Sequence, residues 1–304
     1  MSASAEIPRR SLEEISLRCQ LEPSLKDVFV EGDFDLALLR WFIASTKDLE
    51  RSEDVNVYKI DDVDLTDEVL ERHELKRGNK SEVIALCLEM DRILGSDSLS
   101  VTGIVDRDAE EVLGESHNTQ SLLRSDDSCI EMCLFRREVI AKATALAFPG
   151  FKLDYSAVVR ALSPVLRKLF LYRTAAMQLG WGLRWKKPDS FVVAKKDSIT
   201  FREADFKRHY LQESGYIGQV DLFDRTVCDL EARLSDAMHS HANGHDAIFL
   251  FGLLLRSHCK KQPDMDKTHP HVLVHILTCC LETDVFGKTQ MATALLDRLG
   301  RKSA

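Results

Sequence analysis

The chain has 304 residues, 44% hydrophobic and 30% charged, with a formal net charge of −8. This is the balance of an ordinary soluble protein with an ample core, in one large domain or two. No apolar run reaches the roughly 20 residues of a membrane span, and the start, Met1 to Arg10, lacks the apolar core of a signal peptide, so membrane and secreted classes are excluded and a cytoplasmic location is expected.

Residues 1–24 are polar and predict a loose arm with a short helix around Leu12 to Arg18. The run Lys26-Asp27-Val28-Phe29-Val30 then reads as a buried strand ending in Glu31-Gly32-Asp33-Phe34-Asp35, with Gly32 turning the chain into a helix over Leu36 to Ile43. Ligands gather at the carboxyl ends of strands in open α/β sheets, which makes Glu31 a candidate for chemistry; a loop of surface acids is the alternative. Arg51 to Asp54 reads as a turn and Val55 to Ile60 as a second strand, followed by the acids Asp61, Asp62 and Asp64, which read as a solvated loop. Gly78-Asn79-Lys80-Ser81 opens a helix up to Gly95. Its backbone N–H groups and the Lys80 ammonium suit a phosphate, whereas Asn79 or Ser81 also serves as a plain N-cap.

Leu99 to Val105 predicts a strand running into Asp106-Arg107-Asp108. On an extended backbone Asp-x-Asp puts both carboxylates on one side. Such oxygen clusters suit Mg²⁺ or Mn²⁺, and the like charges repel unless a cation or protons neutralise them. A polar excursion from Ala109 to Gln120 follows, and Ser125-Asp126-Asp127-Ser128 caps an expected helix from Cys129 to Ala147 that places Glu131 as a first-turn capping acid. Pro149-Gly150 marks an expected domain boundary. Beyond it a helix over Tyr155 to Leu179 is interrupted or started near Pro164. Leu183 to Lys187 and Phe191 to Lys196 predict a hairpin extended by Ser198 to Phe201. Later helices include one opened by Asn243-Gly244-His245-Asp246, with Asn243 as N-cap.

From Arg160 to Arg208 there are 12 bases and 4 acids, interleaved with Trp181, Trp185, Phe191 and Phe201. Bases beside rings suit single-stranded nucleic acid, with Lys186, Lys187, Lys195 and Lys196 on the hairpin as phosphate contacts; core aromatics beside a soluble lysine face are the alternative. Residues 1–150 hold 32 acids against 18 bases, and residues 151–304 hold 17 against 23. That asymmetry fits a cation-binding half and a phosphate-meeting half, or two faces neutralising each other across an interface. The eight cysteines lack paired C-x-x-C spacing and read as reduced, buried thiols. His271, His275 and Cys279 share a helical face, the spacing of a zinc site or of a histidine-rich core helix.

A strand-end Glu followed by a later strand-end Asp-x-Asp resembles the Toprim family of topoisomerases, primases and overcoming-lysogenization-defect nucleases, at Glu31, Asp106 and Asp108. Val28 to Asp35, Gly78 to Val83, Gly103 to Asp108, Ser125 to Glu131 and Gly244 to Asp246 look like successive landmarks of one Toprim subfamily, the effectors of bacterial anti-phage systems. Between Phe151 and Asn243 the resemblance is general only. It implies a Toprim-like Rossmannoid α/β sheet flanked by helices over residues 1–150, followed by a mainly helical C-terminal domain with a β-hairpin insertion over 151–304. It further implies Mg²⁺ or Mn²⁺ at Glu31, Asp106 and Asp108, additional metal or orienting roles for Asp127 and Glu131, tRNA as substrate, and an ABC-type ATPase partner. Lys80 would neutralise developing charge.

Three other readings stay open: a DNA endonuclease, since nothing here distinguishes the 2′-OH; a non-catalytic module binding nucleic acid or the ATPase; and self-association through the apolar C-terminal helices. The expected helical remainder has no DNA gate for a topoisomerase, and no zinc ribbon for a primase is present.

Overall fold

The computed structural model describes residues 9–47, 49, 52–95, 100–115, 117, 119–182, 185–235, 237–259 and 262–301. The arm before residue 9, Arg51 of the expected turn, Leu99 of the expected strand, Ser116 and Asn118 of the polar excursion, and Leu183 and Arg184 of the expected hairpin lie outside them. The protein is mixed α/β, with a four-stranded parallel sheet flanked by helices. Its backbone divides into two compact units, one of Met1–Arg107, Ser116–Asp126 and Thr283–Ala304, the other of Asp108–Glu115 and Asp127–Glu282. Pro149-Gly150 lies inside the second unit.

In the first unit the sheet order is Val55–Lys59, Lys26–Val30, Val101–Val105, Leu122–Arg124, every neighbour parallel. Phe29, Val101 and Val105 join the apolar cluster that includes Val83, Ile84 and Cys87 of the helix Asn79–Leu94. Val28, Val30 and Ile104 are just as deeply buried outside that cluster. Burial on both faces explains why these strands are continuously apolar rather than alternating. Gly103 is where the helix comes closest: a Cβ there would stand 2.8 Å from Val83 Cγ1, and nearer still to Cys87 Sγ. Burial pushes the Cys87 thiol up to about 12, so it is an inert packing group.

The edges of this unit differ from the sequence expectation in instructive ways. The short helix expected in the arm is present as Leu12–Leu21, opened by a capping box between Ser11 and Glu14. The fourth strand, Leu122–Arg124, is too short for a periodicity signal, and no element was expected there. Asp126 does not cap the segment after it. Its carboxylate accepts the amides of Gln290 and Met291 at 2.6 and 2.7 Å, at the start of the helix Gln290–Leu299. Phe286 packs edge-on against Phe42, ring centres 4.9 Å apart.

The second unit is mostly helical. The expected helix from Cys129 is instead a 3₁₀ segment, Ile130–Phe135, followed by an α-helix, Arg137–Ala147. Five of the six residues in the first piece are buried, a density that an amphipathic α-helix does not reach, and Arg136 between them is extended. Tyr155–Gln178 runs unbroken through Pro164, because Pro164 sits on the exposed face, where the carbonyl it leaves without a donor meets water. The hairpin pairs Val192–Lys195 with Ser198–Phe201, one segment later than expected, turning at Lys196-Asp197 with Lys196 left-handed. Among the described residues Trp185 to Lys187 form no strand. Five of the eight cysteines are buried as expected, but Cys228 and Cys279 are exposed and Cys259 is intermediate.

Two substitutions test this account of the first unit. Gly103→Ala forces the helix Asn79–Leu94 off the sheet and is expected to destabilise by about 1–3 kcal/mol in urea unfolding. Glu89 is 1% exposed and is met by Arg92 at 2.7 Å, Arg72 at 2.7 Å and His73 at 2.8 Å. Burial alone would raise its pKa; the three partners overcome that and lower it from 4.5 to about 2. A depressed carboxylate stabilises the fold fully above the unfolded pKa and loses that contribution as pH falls toward the folded one. Glu89→Gln should therefore cost about 2–3 kcal/mol at neutral pH and flatten the stability curve between about pH 4.5 and 2.

Candidate functional site

The strand Lys26–Val30 pairs on one side with the next strand in sequence, Val55–Lys59, and on the other with Val101–Val105. The connections therefore leave in opposite directions, which makes the carboxyl end between Lys26–Val30 and Val101–Val105 a topological switch point, where open α/β sheets bind ligands. Val30 lies opposite Ile104 in the ladder. The residues that follow, Glu31 and Asp106, are consequently neighbours, and the Asp106 N–H donates to Glu31 Oε1 at 2.8 Å. Both acids are half-buried. The Glu31 carboxylate beside the Asp106 backbone offers hard oxygen donors of the kind that Mg²⁺ or Mn²⁺ takes.

The helix Asn79–Leu94 starts at this same edge. Asn79 is its first residue rather than its cap, since Gly78 holds the cap position with φ 154°. Freed from capping, the Asn79 amide Nδ2 donates to the Glu31 carbonyl at 2.7 Å and fixes the backbone of the acid. Lys80 Nζ reaches the Arg107 carbonyl at 3.4 Å, which keeps an ammonium beside the chain segment that follows Asp106. The Arg107 amide in turn donates to Ser125 Oγ at 3.0 Å. Of the other acids in this unit, Asp33 pairs with Lys59 at 2.8 Å, and Asp61 lies 4.0 Å from the same ammonium.

Asp108 corrects the extended-backbone argument for Asp-x-Asp. The strand ends at Val105, and Asp108 is exposed and left-handed, with φ 48° and its N–H donating to the Ser128 carbonyl at 2.7 Å. Its side chain is set by this turn and not by strand alternation; Asp is among the residues that tolerate the conformation. Asp108 belongs to the second unit, as do Asp127 and Glu131.

Within the second unit Asp127 pairs with Arg136 Nη2 at 2.6 Å. Glu131 lies beside the start of the helix Gly244–His258, with its Oε1 3.8 Å from His245 Nδ1. Asn243 caps this helix as expected, accepting from the amides of His245 and Asp246. Asp246 turns inward to Arg173 Nη2 at 2.8 Å, and the guanidinium covers the Trp185 ring at 3.8 Å. Burial pushes the Asp246 carboxyl up against the pull of Arg173 and pushes the Arg173 guanidinium down. Arg173 reads in the sequence only as one of the bases between Arg160 and Arg208, and Cys129 only as a helix start within the Ser125–Glu131 landmark; their contacts with Asp246 and Gly244 have no sequence signal.

The basic stretch is partly internal. Lys186 pairs with Glu213, Lys168 with Glu231, and Lys207 with Asp224. Trp181 stacks on Tyr216 at 4.2 Å, and Trp185, Phe191 and Phe201 surround Phe206. Lys187, Lys195 and Lys196 are exposed, the last two at the hairpin turn. On the helix Pro270–Cys280 the buried side chains are Leu273, Leu277 and Cys280, so His271, His275 and Cys279 form an exposed stripe, not a core. Among the described residues they do not close into a metal-ligand cluster. Comparison of the chain with protein-family models and with curated proteins returned no match, so these geometries carry the functional argument.

Proposed function

We propose that the chain is a metal-dependent nuclease of the Toprim type, with its chemistry on the unit that holds the parallel sheet and a second, mainly helical unit that carries the hairpin. The observation that carries this reading is the adjacency of Glu31 and Asp106 at the switch point, bridged by the Asp106 N–H at 2.8 Å. Mg²⁺ or Mn²⁺ held by Glu31, Asp106 and Asp108 would supply the positive charge that polarises a scissile phosphate and stabilises its attacking and leaving oxygens. The protein's own part is preorganisation. The Asp106 amide and Asn79 hold Glu31 in place, and Lys80 presents an ammonium to the phosphate.

The resemblance to the nuclease component of PARIS-type anti-phage systems favours an effector endoribonuclease acting on tRNA, restrained by an ABC-type ATPase partner. The exposed Lys187, Lys195 and Lys196 suit phosphate contacts on such a substrate.

The test is cleavage of purified total tRNA and of plasmid DNA, side by side, with Mg²⁺ or Mn²⁺. The wild type should yield metal-dependent tRNA fragments, and Glu31→Ala should reduce the rate by at least about 100-fold, at the upper end of what loss of supporting groups around a metal costs. Glu31-dependent DNA cutting in place of RNA cutting would reassign the substrate. Failure to cut either, with the protein free of any ATPase, would make the chain a binding module.

A further inference from the structure

Pro149-Gly150, which the sequence marks as a boundary, instead shapes a cavity inside the second unit. The two residues form the centre of a β-turn, closed by the Phe151 N–H on the Phe148 carbonyl at 2.9 Å. This turn and the last residues of the helix Gly244–His258 line a cavity of about 330 Å³. Phe148 and Leu255, 3% and 1% exposed, give it an apolar wall, and the half-buried Phe151 ring joins them. Phe151 stands edge-on to Phe251 and His258, with ring centres 6.1 and 5.0 Å away.

The rim is charged. Asp264 is matched by Lys267 Nζ at 3.1 Å, and the same ammonium reaches the Ala147 carbonyl at 3.3 Å, which joins Asp264 to the chain just before Phe148. Lys152 is exposed and has no ion pair among the described residues, so the unmatched charge at the rim is positive. We propose that this cavity binds a small aromatic carboxylic acid, its ring against Phe148, Phe151 and Leu255 and its carboxylate on Lys152.

The volume lies near the lower end of the roughly 300–1,000 Å³ typical of small-molecule sites, which limits the ligand to one or two rings. Aromatic walls favour an aromatic body through edge-to-face contact, and an ammonium pairs with a carboxylate. The closed turn and the Lys267 contacts hold the walls in place before a ligand arrives. His258 gives occupancy a consequence, because its Nε2 donates to the Lys196 carbonyl at 3.0 Å. A ligand that fixes this ring also fixes the hairpin turn bearing Lys195 and Lys196. The inference goes beyond the nuclease reading. Glu131 lies beside the opposite end of this 15-residue helix, about 20 Å away along its axis.

Phenylacetate titrated calorimetrically into the full-length protein tests it, and alkylation by N-ethylmaleimide locates the site, because Cys259 lines the cavity whereas the exposed Cys228 and Cys279 do not. The wild type should bind about one equivalent, with a millimolar or tighter Kd. Phenylacetate at about ten times that Kd should slow alkylation of Cys259 roughly tenfold and leave Cys228 and Cys279 unchanged. A Cβ at Gly150 meets no atom within 4 Å and needs no left-handed backbone, so Gly150→Leu should fold normally. By crowding the cavity it should weaken binding at least about tenfold at an unchanged melting temperature. Lys152→Ala should cost about two- to fivefold, and neutral phenylacetamide should bind the wild type correspondingly more weakly. No saturable binding to the wild type, an unchanged affinity in Gly150→Leu, equal protection of all three cysteines, or phenylacetamide binding as tightly as phenylacetate would overturn the proposal.

Discussion

Parallel pairing between Lys26–Val30 and Val101–Val105 is the constraint on which the candidate site depends. Neither strand carries the chemistry, but their register fixes where each one stops. With Val30 opposite Ile104, the chain leaves both strands at the same height, and the first polar residues beyond them must share one edge. The reversal of connection direction at this point opens a crevice instead of filling it with a crossover. Gly103 protects the arrangement from below by letting the helix Asn79–Leu94 lie directly on the sheet, which in turn delivers Asn79 and Lys80 to the acids.

The electrostatics follow the same logic of fixed backbone and placed charge. Glu31 is held by a backbone amide on its side chain and by a side-chain amide on its backbone, so its orientation costs nothing further when a cation arrives. Glu89, on the helix that supplies Asn79, is met by the guanidinium groups of Arg72 and Arg92 and by the His73 ring, and anchors that helix from its far end. In the second unit the Arg173–Asp246 pair plays the corresponding part for the helix Gly244–His258, with Trp185 closing over the guanidinium. Both helices begin beside an acidic residue, at the Glu31 backbone carbonyl in one unit and the Glu131 carboxylate in the other.

The sheet was legible wherever burial left a continuous apolar run. Val28-Phe29-Val30 and Val101 to Val105 read as strands because both faces are covered, and their terminal acids stood out for the same reason. What escaped was set by contacts distant in sequence. Leu122–Arg124 is three residues long and exists because a neighbour offers it a ladder. Asp126 looked like the cap of the next segment and instead serves a helix 164 residues away. The helix expected from Cys129 breaks at Arg136, whose pairing with Asp127 no local pattern announces. At the site, Glu31 and Asp106 were readable as strand ends, whereas the left-handed turn at Asp108 and the convergence of Cys129 on Gly244 have no periodic signature at all.

The central claim is that a cation sits at the switch point, and direct Mn²⁺ binding measures it without assuming any substrate. Free Mn²⁺ followed by electron paramagnetic resonance gives the affinity of the wild type and of Asp106→Asn, a substitution that keeps the backbone N–H bonded to Glu31 and so preserves the local fold. The account predicts at least about tenfold weaker Mn²⁺ binding in the variant at an unchanged melting temperature. Equal affinity in a folded Asp106→Asn protein would contradict it.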